Sequence, residues 1–252
     1  MRTGPAGGTI AARLNAQPTT RRPAWASFLG ERMRRYLLLK VVGTTLIIGV
    51  FFVAYLHLLH HPQYPVTVMP STALDRLVPF QPQALFLYLT LWLYVGAGPG
   101  LQLRLRELVS YAAWAVMLCI AGLAIFRFWP TQVPSAGLDL SPHFGFAMLQ
   151  GIDAAGNACP SMHVAFASFT AVRIDQVMRG VGAPRLLRAA NVVWAVAIVL
   201  STLATKQHVV LDVAAGLVLG TVFALASLRW AIAIPKLRPP AVAAPAARPG
   251  DA

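Results

Sequence analysis

The sequence predicts an all-α polytopic membrane protein, a bundle of six transmembrane helices with both termini on the cytoplasmic side. Three observations carry that expectation. Charged residues make up 12% of the 252 residues, about half of the ~25% usual in soluble domains. The mean hydropathy is +0.63, and the chain offers six apolar stretches, most of them near the ~20 residues that cross a hydrocarbon layer. The basic residues gather beside alternate ends of those stretches. A formal net charge of +13 would suggest nucleic acid in a soluble protein, but cytoplasmic loops of membrane proteins are rich in Lys and Arg and account for it here.

Residues 1–30, rich in Gly, Pro, Ala, Thr and Arg, lack the apolar core of a signal peptide and read as a disordered cytoplasmic tail. Arg32, Arg34, Arg35 and Lys40 lead into a first span at about 37–58. A proline-rich loop follows, then a second span at about 84–101 that ends among Gly96, Gly98, Pro99 and Gly100. These glycines either allow close helix packing or loosen the helix end, and the proline among them favours the second reading. Arg104, Arg106 and Glu107 make a short turn into a third span that ends near Phe128.

A loop over 129–159 holds no Lys or Arg, and a fourth span runs from about Pro160 to Met178. Its uninterrupted apolar part is short, as a recessed polar start and a snorkelling Arg173 would allow. The fifth span is expected at about 189–204 and the sixth at about 209–232, within a membrane domain over 31–233. Residues 234–252 are Pro/Ala-rich and read as a second disordered cytoplasmic tail. Cys119 lies in an apolar run and Cys159 in a loop, so a bridge between them is not expected.

Charge distribution sets the orientation. With both tails inside, only Arg76, Arg127 and Lys206 of the 21 basic residues fall outside or near the outer ends. Lys206 therefore stands out, either as an interfacial lysine snorkelling to water or as an ammonium that binds an anion. Its neighbours favour the anion. His208 and Asp212 are four apart, which puts them on one face if a helix begins near His208. A carboxylate on one ring nitrogen fixes the tautomer and makes the other a better nucleophile or base.

The same outer face receives Asn157-Ala158-Cys159-Pro160-Ser161-Met162-His163. Pro160 suits the first turn of a helix, whose free N–H groups form an anion site. The Ser161 hydroxyl can bond a phosphate oxygen, and His163 can deliver a proton to a leaving oxygen. Taken singly, Ser161 would be a helix cap and His163 a packed core histidine. Their convergence with Lys206, His208 and Asp212 on one face favours a site.

Pro160-Ser161-Met162-His163, with Ser201, His208 and Asp212 some forty residues on, resembles the type 2 phosphatidic acid phosphatase superfamily, which includes the vanadium haloperoxidases. The second motif of that superfamily reads Pro-Ser-x-His. Its third reads Ser-Arg, five residues, His, three residues, Asp. The resemblance covers roughly residues 80–230 and implies a metal-independent lipid phosphatase without cofactor. His208 would attack phosphorus to form a phosphohistidine, Asp212 would orient it, and His163 would serve as acid and then base. Ser161 and Ser201 would help to hold the phosphate.

Two departures qualify the match. The first motif, Lys, six residues, then Arg-Pro, is absent before Pro160, and Thr202 stands where the third motif has Arg. Arg127 and Lys206 are the available replacement cations. The Leu74–Phe80 loop, Trp129-Pro130 and the stretch from Asp153 to Asn157 are similar to the inositol phosphoceramide synthase-like branch, some of whose members transfer a phospho-head-group. An amphipathic segment at the interface would explain the loop equally.

His57, His60 and His61 fall at helical spacing but lack nearby acids or cysteines, so packing at the interface is favoured over a metal. His143 reads as a solvated loop residue. The expected partners are a lipid phosphate or pyrophosphate and the membrane, with no nucleic acid. A bacterial inner membrane with an outward-facing site suits the size and the lack of sorting signals. The competing expectations are a head-group phosphotransferase and a membrane protein that keeps the phosphate pocket for binding alone.

Overall fold

The computed structural model describes residues 24–135, 137 and 157–230. The tail expected over 1–30 overlaps a helix, α1 (Ala24–Arg34), so residues 24–30 are helical; residues 1–23 and the tail expected over 234–252 lie outside the described residues. Among the described residues, four helices are long and apolar enough to cross a membrane: α2 (Leu37–His60), α6 (Leu105–Phe128), α8 (Arg185–Ala204) and α9 (Val210–Arg229). The expected second span is broken in two, α4 (Ala84–Leu89) and α5 (Leu91–Gly100), with Thr90 between them. The expected fourth span is α7 (Met162–Gly180). It falls short of a candidate span because Arg173, Asp175 and Arg179 interrupt its apolar run.

Although charged, α7 is the centre of the bundle, packing against α9, α8 and α5. Its contact with α9 is set by small residues. A Cβ on Gly216 would come within 2.5 Å of the Ser161 carbonyl oxygen, and one on Gly220 within 2.0 Å of the Ala165 carbonyl oxygen. Glycines four apart thus let two backbones meet. The Ser161 N–H donates to the Asp212 carbonyl at 3.0 Å across the same contact. A similar approach, Gly98 against the Tyr111 ring and hydroxyl, joins α5 to α6, so this glycine serves packing and not the loosening of a helix end.

Arg173 does not snorkel. It is 7% exposed, with Nη1 donating to the Ser227 hydroxyl and carbonyl at 3.3 and 3.4 Å and the guanidinium over the Tyr111 ring at 5.7 Å. A charge in an apolar bundle is costly unless hydrogen-bonded, and α9 supplies the acceptors.

At the other end a small parallel ladder forms between β1 (Thr67–Val68) and β2 (Thr131–Gln132), extended by a bridge from Thr131 to Asn157. Buried Thr131 accepts the Cys159 N–H on its hydroxyl at 2.7 Å and the Ala158 N–H on its carbonyl at 3.0 Å. This ladder anchors the segment that enters α7. Cys119 and Cys159 are both buried free thiols.

Candidate active site

Ser161 is the N-cap of α7, with its hydroxyl accepting the Val164 N–H at 3.3 Å. A serine there satisfies a helix-end N–H that would otherwise lack a partner. His163 then falls in the first turn of α7. Its ring stacks on Tyr88 at 3.9 Å and 17°, and Nε2 lies 3.0 Å from the Tyr88 carbonyl oxygen. A carbonyl can only accept, so Nε2 carries the proton and Nδ1 is left to exchange one.

The third motif is built differently from the expectation. Helix α9 starts at Val210, so His208 precedes it and the pair does not share a helical face. Asp212 instead reaches back from the first turn: Oδ2 accepts the Val209 N–H at 3.1 Å and lies 3.5 Å from His208 Nδ1. The Thr202 carbonyl caps the loop by accepting the Gln207 and His208 N–H groups at 3.1 and 3.2 Å. The residue in the arginine's place thus contributes backbone to the turn, while its hydroxyl donates to the Val199 carbonyl at 2.7 Å. Asp212 is fully buried. The Cys159 thiol beside it is pushed up to about 11, by burial first and then by the charge and hydrogen bond of Asp212, so it remains a neutral donor to that carboxylate.

His163 and His208 line one cavity of about 370 Å³ with Tyr55, Tyr88 and Asn157. The motifs that are forty residues apart therefore meet. The other expected phosphate-binding groups sit elsewhere. Ser161 is 0% and Ser201 2% exposed, and the Ser201 hydroxyl donates within its own helix to the Ile198 carbonyl at 2.6 Å. Arg127 donates from Nη2 to Gln63 at 3.0 Å and lies over the Tyr64 and Phe128 rings. Its Nη1 is buried and has no hydrogen-bond partner among the described residues.

The Lys206 ammonium lies against backbone carbonyls of the chain itself. The residue's φ of 57° is left-handed, which turns the side chain back onto α3 (Ala73–Leu77). There the ammonium donates to the Asp75 carbonyl at 2.9 Å and to the Val78 carbonyl. Asp75 completes the tie by accepting the Val210 N–H on Oδ1 at 2.8 Å, while Oδ2 takes the Thr72 N–H and hydroxyl, each at 2.7 Å. Burial disfavours the Asp75 charge, but the Thr72 and Val210 donors and the Lys206 ammonium outweigh it and hold the carboxyl below its usual range. Residues 72–78 thus form a strap over the turn that carries His208.

One residue was missed by sequence reasoning. Asn157 is 5% exposed, and its Nδ2 donates to the Tyr55 carbonyl at 2.8 Å. That fixes the amide orientation and leaves Oδ1 buried with no partner among the described residues. His208 Nδ1, Asp212 Oδ1 and Gln207 Oε1 share that condition, and such atoms cluster where function requires them. Only the place of Asn157 shortly before Pro-Ser-x-His hinted at it.

At the end of α2, His57 and His61 stack at 4.8 Å, and His60 and His61 bond carbonyls four residues back at 2.8 and 3.0 Å. Among the described residues no group of three His, Cys, Asp or Glu could hold a metal ion. His143 and Asp153 lie outside the described residues.

No curated protein and no solved structure matches the chain. A family model described as the PAP2 superfamily matches residues 80–226, which takes in both motifs and leaves out α1, α2 and the strap. On that match, over more than half its length, the chain belongs to the PAP2 superfamily.

Proposed function

We propose that the protein is a lipid phosphatase that cleaves a phosphate or pyrophosphate through a phosphohistidine on His208, in a six-span membrane domain with both termini cytoplasmic and the site on the outer face. One observation carries the reading: His163 and His208 line one end of a single, largely apolar cavity, with Asp212 3.5 Å behind His208. Nδ1 of His208 faces the carboxylate, so Nε2 is the nitrogen that attacks phosphorus. The P–N bond forms as the P–O bond to the lipid breaks, and the proton on His163 Nδ1 goes to the leaving oxygen. His163, now neutral, takes the proton of the incoming hydroxyl as that oxygen attacks phosphorus and the P–N bond breaks.

Lys206 and Thr202 act in this reading by holding the His208 turn, and Arg127 keeps a nitrogen for the phosphate. Ser161 and Ser201 hold their helices in register, Ser161 across the contact with Asp212.

A second reading is favoured by Asn157. Its free atom is an acceptor, suited to a hydroxyl and not to a phosphate oxygen, which also accepts. Water and an alcohol both offer that O–H, and where an alcohol takes the place beside Asn157 the reaction is head-group transfer.

The test is purified protein in detergent with chelator, offered labelled phosphatidate or an isoprenyl pyrophosphate, with and without alcohols. Phosphate release supports hydrolysis, and a product formed only with an alcohol supports transfer. If neither appears, and His208→Ala leaves the activity in cells unchanged, both readings fail.

A further inference from the structure

We propose that the cavity is a measuring pocket for the hydrocarbon tail of the substrate, running from the two histidines along α2 and ending at Lys40. The proposal rests on the reading of His208 and His163 as the reactive end. At that end the wall is Tyr55, Asn157 and the histidines, and at the other it is Lys40, Gly43 and Pro99. From Tyr55 to Lys40 helix α2 rises about 22 Å at ~1.5 Å per residue, most of the ~30 Å of a bilayer's hydrocarbon core. The wall between is apolar, supplied on α2 by Ile47, Phe51 and Phe52.

The end at Lys40 is fixed by its own chemistry. Lys40 is 4% exposed, and its ammonium donates to the Arg32 carbonyl at 2.6 Å and the Gly100 carbonyl at 2.7 Å. It therefore ties α1, α2 and α5 together and closes the pocket with a charge that a methyl-ended chain gains nothing by passing. The stretch just above the floor is open because of Gly43, whose absent Cβ would have nothing within 4 Å. A side chain placed there enters the pocket without moving backbone. Helix α2 lies outside the matched residues 80–226.

The full chain in detergent is tested two ways. A phosphonate analogue of phosphatidate with a photoreactive diazirine at its chain end is crosslinked, and the labelled residues are mapped. Labels on Gly43, Thr44 or the end of α5 are expected. Labels confined to the exposed face of α2, Leu38, Val42 and Leu46, overturn the pocket. In parallel, phosphate release is measured for short-chain and long-chain phosphatidate with wild type, Gly43→Leu and Gly43→Phe, each checked for monodisperse elution and thermal melting. The long-to-short ratio of kcat/KM is expected to fall at least tenfold in Gly43→Phe and less in Gly43→Leu. An unchanged ratio in folded variants also overturns the proposal. If wild type releases phosphate from neither substrate while labels map to Gly43, the catalytic reading fails and the tail pocket stands.

Discussion

Replacing Lys206 by Met tests whether its cation serves the protein or the substrate. The ammonium makes two hydrogen bonds to carbonyls of the strap. Hydrogen bonds to charged groups contribute about 1.5–3 kcal/mol each, and partial burial puts these at the lower end, about 3 kcal/mol together. The left-handed φ of 57° is the same for Met and Lys and cancels. Asp75→Ala removes the acceptor of the Val210 N–H from the other side of the same strap. If half or more of the lost anchoring reaches the His208 turn, kcat falls about tenfold or somewhat more, at ~1.4 kcal/mol per decade. Both variants are then expected to lower kcat with little change in KM, and the double variant to cost less than the sum. A Lys206→Met variant with raised KM and unchanged kcat, beside a silent Asp75→Ala, would refute the strap and return the ammonium to the phosphate. Acid gives an independent check. The folded Asp75 value lies below the unfolded one of ~3.9, so the strap is at full strength above that pH and weakens as pH falls through the folded value. Melting temperature should be flat across about pH 5–8 and drop below about pH 4, and the drop should be smaller in Asp75→Ala.

Two further predictions address the frame of the site. Gly220→Ala forces a methyl onto the Ala165 carbonyl oxygen, a 2.0 Å approach, and overpacking of this kind costs about 1–3 kcal/mol; a lowered melting temperature in detergent together with a reduced kcat is expected, and a neutral variant would show that α7 and α9 do not need this contact. Asn157→Leu removes the free acceptor while filling a similar volume, and it should slow attack by an alcohol on the phosphohistidine more than formation of that intermediate, so that labelled protein accumulates after rapid quenching; equal slowing of both steps would leave Asn157 as a loop anchor only.

What was legible in the sequence was whatever periodicity or spacing encodes. The existence of α2, α6, α8 and α9 follows from their apolar runs, although α8 starts at Arg185 and not near 189 and α9 ends at Arg229 and not near 232; the meeting of His163 with His208 in one cavity was expected from two motifs and a charge rule. The break at Thr90 was not legible, because Ala84–Gly100 is apolar on both sides of it. Nor was the burial of Arg173, since a lysine-like snorkel and an inward hydrogen bond to Ser227 look alike in a sequence. Gly216 and Gly220 carried a readable signal, a small-residue pair four apart on an apolar helix, that passed unused. Lys206 depends on a left-handed backbone and on carbonyls some 130 residues away in the chain, and no local pattern reports either. Residue type set the chemistry available, and tertiary contacts decided where the charges were used.

The strap also bears on which phosphate the site can hold. With Thr202 in the arginine's place and the Lys206 ammonium on carbonyls, positive charge in the cavity wall beside the histidines is reduced to the imidazoles themselves. A cation at ~4 Å is worth roughly 4 kcal/mol against each unit of negative charge at an effective dielectric near 20, so a dianion loses about twice as much as a monoanion when one cation is withdrawn. A phosphomonoester becomes dianionic above its second pKa of ~6, whereas a phosphodiester carries one charge throughout. The site is therefore expected to favour lipid phosphodiesters, or monoesters in their monoanionic form. Measured with both substrates across about pH 5–8, kcat/KM for the monoester should fall relative to the diester as pH rises through ~6. A monoester preference that grows with pH would mean that Lys206 leaves the strap for the dianion, and the reduced-charge account of this site would be wrong.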